Sequence, residues 1–396
     1  MKITALVSLA VAVLAFTEAT PINRRPHPSG GHAVPLTRNP KFKHNTKAQL
    51  AKLNVRYPNL KVLAASSGHV PLTDVSNDLE YYGSVSVGTP AQVVKLDFDT
   101  GSSDIWFPSS TCTTTACKAH TRFNSAKSST YTKDGRSWTI SYGDGSSASG
   151  TLGSDIVSVG GVSVRQTIGL ATKESSQFGS SPEDGLFGLG FNTIESVSGV
   201  KTFMDNAIAA GILTLPVVSV FLPSVRRNGG VGGEYLFGAI DSTKYTGSLT
   251  YVPVTKKGYW QVLIQDASYN GASLGQTSQG IIDTGTTLVI VGDAAAKAIH
   301  AKIPGSVNDP SNGWLVPCSV KTSTANVGFK MGGATFNVPV ADLAYEDMGD
   351  GSGNCFSGVQ GGQDGLWILG DVFIKNNYCV FSQTSSPSIG IAPLSY

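Results

Sequence analysis

Short apolar runs bounded by glycine, proline, asparagine or serine recur along the chain after residue 80. They are rich in β-branched and aromatic residues, which favours strands over helices. The predicted strands are Tyr81–Val87, Val93–Phe98, Trp138–Tyr142, Ile156–Val159, Val218–Leu222, Tyr259–Ile264, Ile281–Asp283 and Trp367–Leu369. Helical patterns are few, and the clearest are Thr202–Ala210 and Asp293–Ile303, with Asp293 predicted to cap the second. The pattern therefore predicts a mainly β protein.

One part of this pattern occurs twice. Leu96–Ser103 reads LDFDTGSS, and Gly280–Thr287 reads GIIDTGTT about half the chain later. A second echo follows each copy at nearly the same distance, as GLFG in Gly185–Gly188 and as WILG in Trp367–Gly370. Two copies of one β unit predict two related lobes that face each other, with one aspartate from each at the seam.

The repeated aspartates, Asp99 and Asp283, carry the candidate chemistry. Glycine in each loop allows the two carboxylates to approach closely. Two carboxylates about 3 Å apart cannot both ionise, so they share one proton and divide the roles of general base and general acid. Such a pair can activate a water against an amide carbonyl and protonate the leaving nitrogen, with no metal or cofactor. We therefore expect peptide-bond hydrolysis that is fastest in acid; the alternative is two structural aspartates that cap turns.

Charge divides the chain into a basic leader and an acidic body. Residues 1–19 have the pattern of a secretory signal peptide: a basic start, an apolar stretch too short to span a membrane, and small residues at the end. Residues 20–63 hold nine lysines or arginines and no acidic residue, whereas 19 basic and 26 acidic residues follow from position 64. We interpret the leader as an intramolecular partner that is removed on activation. A disordered basic arm for nucleic acid or anionic lipid is the weaker alternative.

All five cysteines lie after residue 111. Their spacing suggests that Cys112 pairs with Cys117 and Cys318 with Cys355, which fits an oxidising compartment. Cys379, in a strand-like run, is left as a buried, inert thiol. None of the cysteines has metal-ligand spacing, so no metal site is expected.

Together these residues resemble the pepsin family of aspartic proteases, most closely its secreted fungal members such as polyporopepsin and endothiapepsin. The resemblance covers residues 70–396. It rests on Asp99–Ser103, Trp106, Tyr142–Ser146, Asp283–Thr286, Ile368–Phe373 and both cysteine pairs. It implies a mainly β, bilobal pepsin-like fold of two related β-barrel lobes with the active-site cleft between them. The predicted organisation is a signal peptide at 1–19, a basic propeptide at 20–70, an N-terminal lobe at 71–245 and a C-terminal lobe at 246–396.

For the two loops, the resemblance implies that Asp99 and Asp283 form the catalytic dyad. Each aspartate is followed by a threonine and a glycine, and the threonines would interlock the loops. The residues that complete the loops are Gly101, Gly285, Ser102 and Thr286, the last two as outer hydrogen-bond partners of the dyad.

For substrate binding, the resemblance implies a hairpin flap. Tyr142 at its tip would hydrogen-bond Trp106, while Gly143 and Asp144 would bond the backbone of an extended substrate. The alternative for Asp144 is a turn residue, because Asp is favoured there for local hydrogen bonding. In fungal members an Asp at this position accompanies tolerance of Lys before the scissile bond, besides large hydrophobic residues. The candidates for apolar pocket walls are Phe178, Phe187 and Ile281, with core packing equally expected for Phe187.

The leader also resembles a pepsin-family propeptide. Val34–Arg38 matches its opening strand, and either Lys52 or Arg56 would place a cation on the catalytic carboxylates. Carboxylates paired with cations have depressed pKa values, so leader binding would be lost as pH falls and the zymogen would cut itself near residue 70.

These features predict a secreted monomer, or alternatively a vacuolar enzyme, with polypeptide substrates and its own propeptide as partners and with no nucleic acid or membrane partner. The first alternative function is a catalytically inactive pepsin-fold binding or inhibitor protein. The second is a serine hydrolase, because Gly271–Gly275 matches a nucleophile-elbow pattern. Asn270–Gly271 instead predicts a hairpin turn, and no helix pattern follows.

Overall fold

The computed structural model describes residues 31–35, 81–142, 146–229 and 233–395. The strands are β1 His32–Pro35, β2 Tyr82–Val87, β3 Gln92–Asp99, β4 Ile105–Pro108, β5 Thr132–Ser141, β6 Ser147–Val159, β7 Val162–Glu174, β8 Gly185–Gly188, β9 Val217–Phe221, β10 Glu234–Phe237, β11 Thr250–Pro253, β12 Gln261–Ile264, β13 Asp266–Tyr269, β14 Ala272–Ser273, β15 Ser278–Ile282, β16 Val289–Ile290, β17 Val307–Asp309, β18 Gly313–Pro317, β19 Asn326–Met331, β20 Ala334–Pro339, β21 Ala344–Asp347, β22 Asn354–Ser357, β23 Val359–Gln360, β24 Leu366–Leu369, β25 Asn377–Ser382 and β26 Ser388–Pro393. The helices are α1 Thr115–Ala119, α2 Phe203–Ala209, α3 Val225–Asn228, α4 Asp293–His300 and α5 Asp371–Ile374. Single 3-10 turns span Ser125–Lys127, Ser176–Ser180, Asn192–Ile194, Cys318–Thr322 and Val340–Asp342. The prediction of a mainly β protein is confirmed.

A seven-stranded sheet forms the first lobe, in the order β2-β3-β8-β4-β7-β6-β5. Strand β2 also pairs with β6, which curls the sheet back on itself. In β3, Val94, Leu96 and Phe98 are buried while Lys95 between them is exposed, as expected for a strand with one face on a core. At the end of the strand the alternation stops, because Asp99 is buried as well as Phe98.

The second lobe repeats the centre of the first. Its sheet has the order β12-β15-β24-β16-β23. Strands β3 and β8 are parallel with β4 antiparallel to β8, and strands β15 and β24 are parallel with β16 antiparallel to β24. Two smaller sheets, β14-β13-β19-β20 and β17-β18-β22-β21, complete this lobe. The repeated sequence therefore builds a repeated structure, and the fold is the bilobal pepsin-like fold.

A six-stranded sheet joins the lobes, in the order β1-β10-β9-β25-β26-β11. It takes β9 and β10 from before residue 245 and β11, β25 and β26 from after it, so backbone hydrogen bonds link the two predicted domains. Strand β1, from the predicted leader, occupies its edge beside β10. Val34 of β1 is buried in the main core.

The two predicted longer helices are present, but one predicted cap is wrong. Thr202 caps α2 through a capping box with Asp205. At α4 the N-cap is Gly292, and Asp293 is already the first helical residue. A side chain at Gly292 would come within 2.8 Å of an oxygen of Asp364, so the packing around this position favours glycine. Asp293 still faces the positive end of the helix dipole.

Both predicted disulfides are present, Cys112–Cys117 and Cys318–Cys355. Cys379 is a free, buried thiol, and burial raises its pKa, so it is poorly reactive. Within the residues that the structure describes, no helix is long and apolar enough to cross a membrane.

Candidate active site

Asp99 ends β3 and is completely buried. The backbone N–H of Gly101 donates to its Oδ1 at 2.8 Å. The hydroxyl of Ser102 donates to its Oδ2 at 2.6 Å. Each oxygen of this carboxylate thus has a donor from its own loop, which fixes the orientation of the side chain.

Asp283 follows β15 and is also completely buried. Gly285 donates its backbone N–H to Oδ1 at 3.1 Å, and the hydroxyl of Thr286 donates to Oδ2 at 2.5 Å. The donors come from the same positions of the loop as in the first copy. The two aspartates therefore have equivalent surroundings, each supplied by its own half of the chain.

The threonines after the aspartates join the two loops to each other. The backbone N–H of Thr100 donates to the hydroxyl oxygen of Thr284, and that of Thr284 donates to the hydroxyl oxygen of Thr100, both at 3.0 Å. The Thr100 hydroxyl donates to the carbonyl of Ile282 at 2.9 Å, and the Thr284 hydroxyl donates to that of Phe98 at 2.7 Å. This reciprocal set is buried and holds the ends of β3 and β15 side by side across the seam.

The glycines of the second sequence echo allow this close packing. A Cβ atom at Gly188 would lie 2.2 Å from the backbone of Ser103, and one at Gly370 would lie 2.0 Å from the carbonyl oxygen of Thr286. No side chain fits at such distances. The repeat of apolar strand and glycine is thus explained by the approach of β8 and β24 to the aspartate loops.

A hairpin of β5 and β6 carries the candidate flap. At its end the backbone N–H of Tyr142 donates to the carbonyl of Ser146 at 2.8 Å. The indole N–H of Trp106 donates to the Tyr142 hydroxyl. Phe178 is partly buried and packs edge-on against both rings, with centroid distances of 5.0 Å to Trp106 and 5.9 Å to Tyr142. Gly143 and Asp144 lie outside the described residues.

Two of the three candidate pocket walls belong to the core. Phe187 is fully buried and stacks on Phe98 at a centroid distance of 4.8 Å. Ile281 is fully buried in β15, between β12 and β24. Both belong to the main buried core, which agrees with the core-packing alternative for Phe187. Phe178 alone of the three lies with the flap residues.

Asp104 is a site residue that the sequence analysis missed. It is buried, and one oxygen accepts from the indole N–H of Trp138 in β5 at 2.9 Å. The other accepts from the backbone N–H of Ser196 at 3.1 Å, and the Ser196 hydroxyl also contacts the carboxylate. Asp104 thus ties the flap strand to the chain just after the first aspartate loop. The available signal was a charged residue directly before the apolar run of β4.

Comparison with known proteins gives one consistent result. Residues 80–394 match the family model described as eukaryotic aspartyl protease. The chain is similar to rhizopuspepsin-1 of Rhizopus niveus, with 44% identity over 100% of both chains. It is also similar to syncephapepsin of Syncephalastrum racemosum, with 39% identity over 99% of both. An aspartic protease of Phaffia rhodozyma is 38% identical over 85% of this chain and 82% of its own.

Proposed function

Because the chain belongs to the eukaryotic aspartyl protease family and is an aspartic-type endopeptidase, we propose that Asp99 and Asp283 are its catalytic pair. The observation that carries this assignment is the reciprocal contact of the two threonines, which joins the ends of the two loops. Each aspartate also receives one backbone and one hydroxyl donor. This pre-organised symmetry is what two carboxylates need to share one proton.

The proposed reaction needs only this chain, its substrate and water. The ionised carboxylate takes a proton from the water as it attacks the amide carbonyl, and the protonated one supplies a proton to the intermediate. The carboxyl that took the water proton then gives it to the leaving nitrogen, while the other carboxylate takes a proton from a hydroxyl of the intermediate as the C–N bond breaks, and the dyad returns to its singly protonated form. Closing of the Tyr142 hairpin would exclude bulk water from the bound substrate.

The substrate preference follows from the residues beside the flap. Phe178 is partly exposed and packs on the buried rings of Trp106 and Tyr142 in one aromatic cluster, which suits a large hydrophobic residue before the scissile bond. We further propose that Asp144 admits Lys at the same position through its carboxylate.

The leader is proposed to act as an inhibitor that acid releases. Strand β1 already occupies an edge of the central sheet, in register with β10, and Val34 lies in the core. This position supports a zymogen in which the basic segment after β1 reaches the acidic cleft. Lys52 and Arg56, the candidates for that contact, lie outside the described residues. If zymogen carrying Asp99→Ala still matured alone at low pH, self-processing would be refuted.

We also propose that the protein is secreted, with an acidic vacuole as the alternative. The support is the signal-like sequence of residues 1–19, which lie outside the described residues, together with the two disulfides. Fractionation of the source cells, with antibody against the mature chain, would separate the two destinations.

The catalytic assignment is tested by digestion of a peptide library at several acidic pH values. Wild type should cleave internal peptide bonds, and Asp283→Asn should lose cleavage at every site while retaining the folded structure. Pepstatin should inhibit wild type, and a serine-directed reagent should not. Undiminished cleavage by folded Asp283→Asn would refute the dyad.

A further inference from the structure

A histidine outside the dyad contacts both ends of the segment that carries Phe178. The side chain of His120, just after α1, is only 4% exposed, and its Nδ1 lies 3.6 Å from Oε2 of Glu174. Its Nε2 lies 3.2 Å from the carbonyl oxygen of Ser181. Glu174 is the last residue of β7, and Ser181 directly follows the 3-10 turn Ser176–Ser180. His120 therefore spans the base of the loop.

Both neighbours of the imidazole are hydrogen-bond acceptors. A neutral ring has one N–H and one lone pair, so it can donate to only one of them, whereas the doubly protonated ring can donate to both. The side chain of Glu174 is 0% exposed, and neither of its oxygens has a hydrogen-bond partner among the described residues. A buried carboxylate of this kind stays ionised only beside a cation.

The charges around His120 favour the imidazolium. Burial alone would lower the pKa of His120, but the Glu174 carboxylate, the Ser181 carbonyl and the Asp184 carboxylate together raise it above 6.5. Asp184 lies in the loop before β8 and accepts from the backbone N–H of Lys95 at 2.8 Å. The far end of the loop is thus fastened to β3 independently of the histidine.

The same loop is bonded to the flap. Glu174 pairs with Ala148 of β6. The backbone N–H of Ser175 donates to the carbonyl of Ser147 at 2.9 Å, and its hydroxyl accepts from the Ser147 N–H at 3.0 Å. Ser175 is thus held on β6 without the histidine, so loss of the His120 contact acts on the part of the loop that carries Phe178.

We propose that His120 is a positioning residue for the apolar substrate pocket: as the imidazolium it joins Glu174 to Ser181 and so holds Phe178 against Trp106 and Tyr142. This inference rests on the proposed place of Phe178 in the pocket. The folded-state pKa of His120 is raised from the unfolded value of 6.5, so the ring carries both N–H donors below that pH. One of them is lost as pH rises through the folded-state pKa.

The first test compares His120→Ala, Phe178→Ala and the double variant on two peptides that differ only in Phe or Ala before the scissile bond. At acidic pH, His120→Ala should raise the KM for the Phe peptide roughly tenfold, with kcat and the Ala peptide nearly unaffected. In the Phe178→Ala background, His120→Ala should add nothing. Turnover of the Ala peptide reports the peptidase activity separately.

The second test follows pH with two statine peptides that carry Phe or Ala at the pocket position. Titration of the catalytic dyad changes the binding of both peptides equally, so its effect cancels in the ratio of their dissociation constants. In wild type the preference for Phe should fall as pH rises above 6.5. The double variant His120→Gln, Glu174→Gln replaces the ion pair by neutral amides, so its preference for Phe should not change over this pH range.

Each outcome decides the inference. If Phe178→Ala leaves the KM of the Phe peptide unchanged, the pocket assignment fails and the inference with it. If Phe178→Ala acts but His120→Ala does not, or if the two effects add, the positioning role is refuted. A Phe preference of wild type that is constant from pH 4 to 8 would refute the dependence on the proton.

Discussion

Replacing His300 with Gln should make the enzyme lose less stability in acid. His300 is 1% exposed, its Nδ1–H donates to the carbonyl of Ala296 at 2.7 Å and its Nε2 accepts from the hydroxyl of Ser357 at 2.8 Å. Trp314 stacks on the ring at 4.3 Å. This site suits the neutral ring, and burial lowers the pKa of His300 to about 4.

The magnitude follows from linkage. The unfolded chain binds a proton at His300 near pH 6.5, whereas the folded chain binds it only near pH 4. Unfolding therefore becomes easier as pH falls through this window, by about 3 kcal/mol at 1.36 kcal/mol for each pH unit. Below pH 4 both states carry the proton and the effect is constant. Urea denaturation at a series of pH values should show the wild-type free energy of unfolding falling relative to His300→Gln by this amount.

Ser357→Ala is the matched control for this experiment. It removes the hydrogen bond to Nε2 but leaves the imidazole buried, so it should lower the free energy of unfolding at neutral pH and still show a further fall in acid, which His300→Gln should not show. A difference between wild type and His300→Gln that is flat from pH 7 to 3.5 would refute the assignment of a neutral histidine.

Three further predictions concern the interlocked loops, specificity and a disulfide. Thr100→Val removes the hydroxyl that bonds the buried N–H of Thr284 and the carbonyl of Ile282. Urea denaturation should therefore show a free energy of unfolding lower by about 3 kcal/mol, whereas Thr100→Ser should stay near wild type. Equal losses in the two variants would contradict this. In a peptide digest, Asp144→Thr should abolish cleavage after Lys and spare cleavage after Phe or Leu, and equal loss of both would reject the specificity role. Replacing Cys318 and Cys355 with Ser opens a loop with a sequence separation of 37. This should lower the free energy of unfolding by about 4 kcal/mol, because the unfolded chain gains conformational entropy. If opening the smaller Cys112–Cys117 loop cost as much, the chain-entropy account would be wrong.

The repeated motif made the centre of the site predictable. The sequence places each aspartate after an apolar strand and before Thr-Gly, and the structure gives both the same donors. Local sequence patterns could not show which of Phe178 and Phe187 is buried in the core. Both follow β-rich runs, and only the tertiary packing decides which ring is covered. The cap at Asp293 was wrong for a similar reason, since the space around Gly292 depends on Asp364, far along the chain.

Contacts between distant residues account for most of what the sequence did not show. His120 meets Glu174 only after α1 packs beside the end of β7, and His300 meets Ser357 only after β22 forms. The central sheet is the largest case, because it combines strands from both predicted domains. None of these pairings leaves a periodic signal in the chain.

The central sheet also constrains the order in which the molecule can form. Strand β9 lies between β10 and β25, so one side of it stays unpaired until residues 377–382 have been synthesised. The growing chain therefore holds an exposed edge while residues 222–382 are made, and such edges promote aggregation. Pairing of β9 is thus completed only when the last part of the chain is made, and loss of β25 would expose an edge in a strand of the first half.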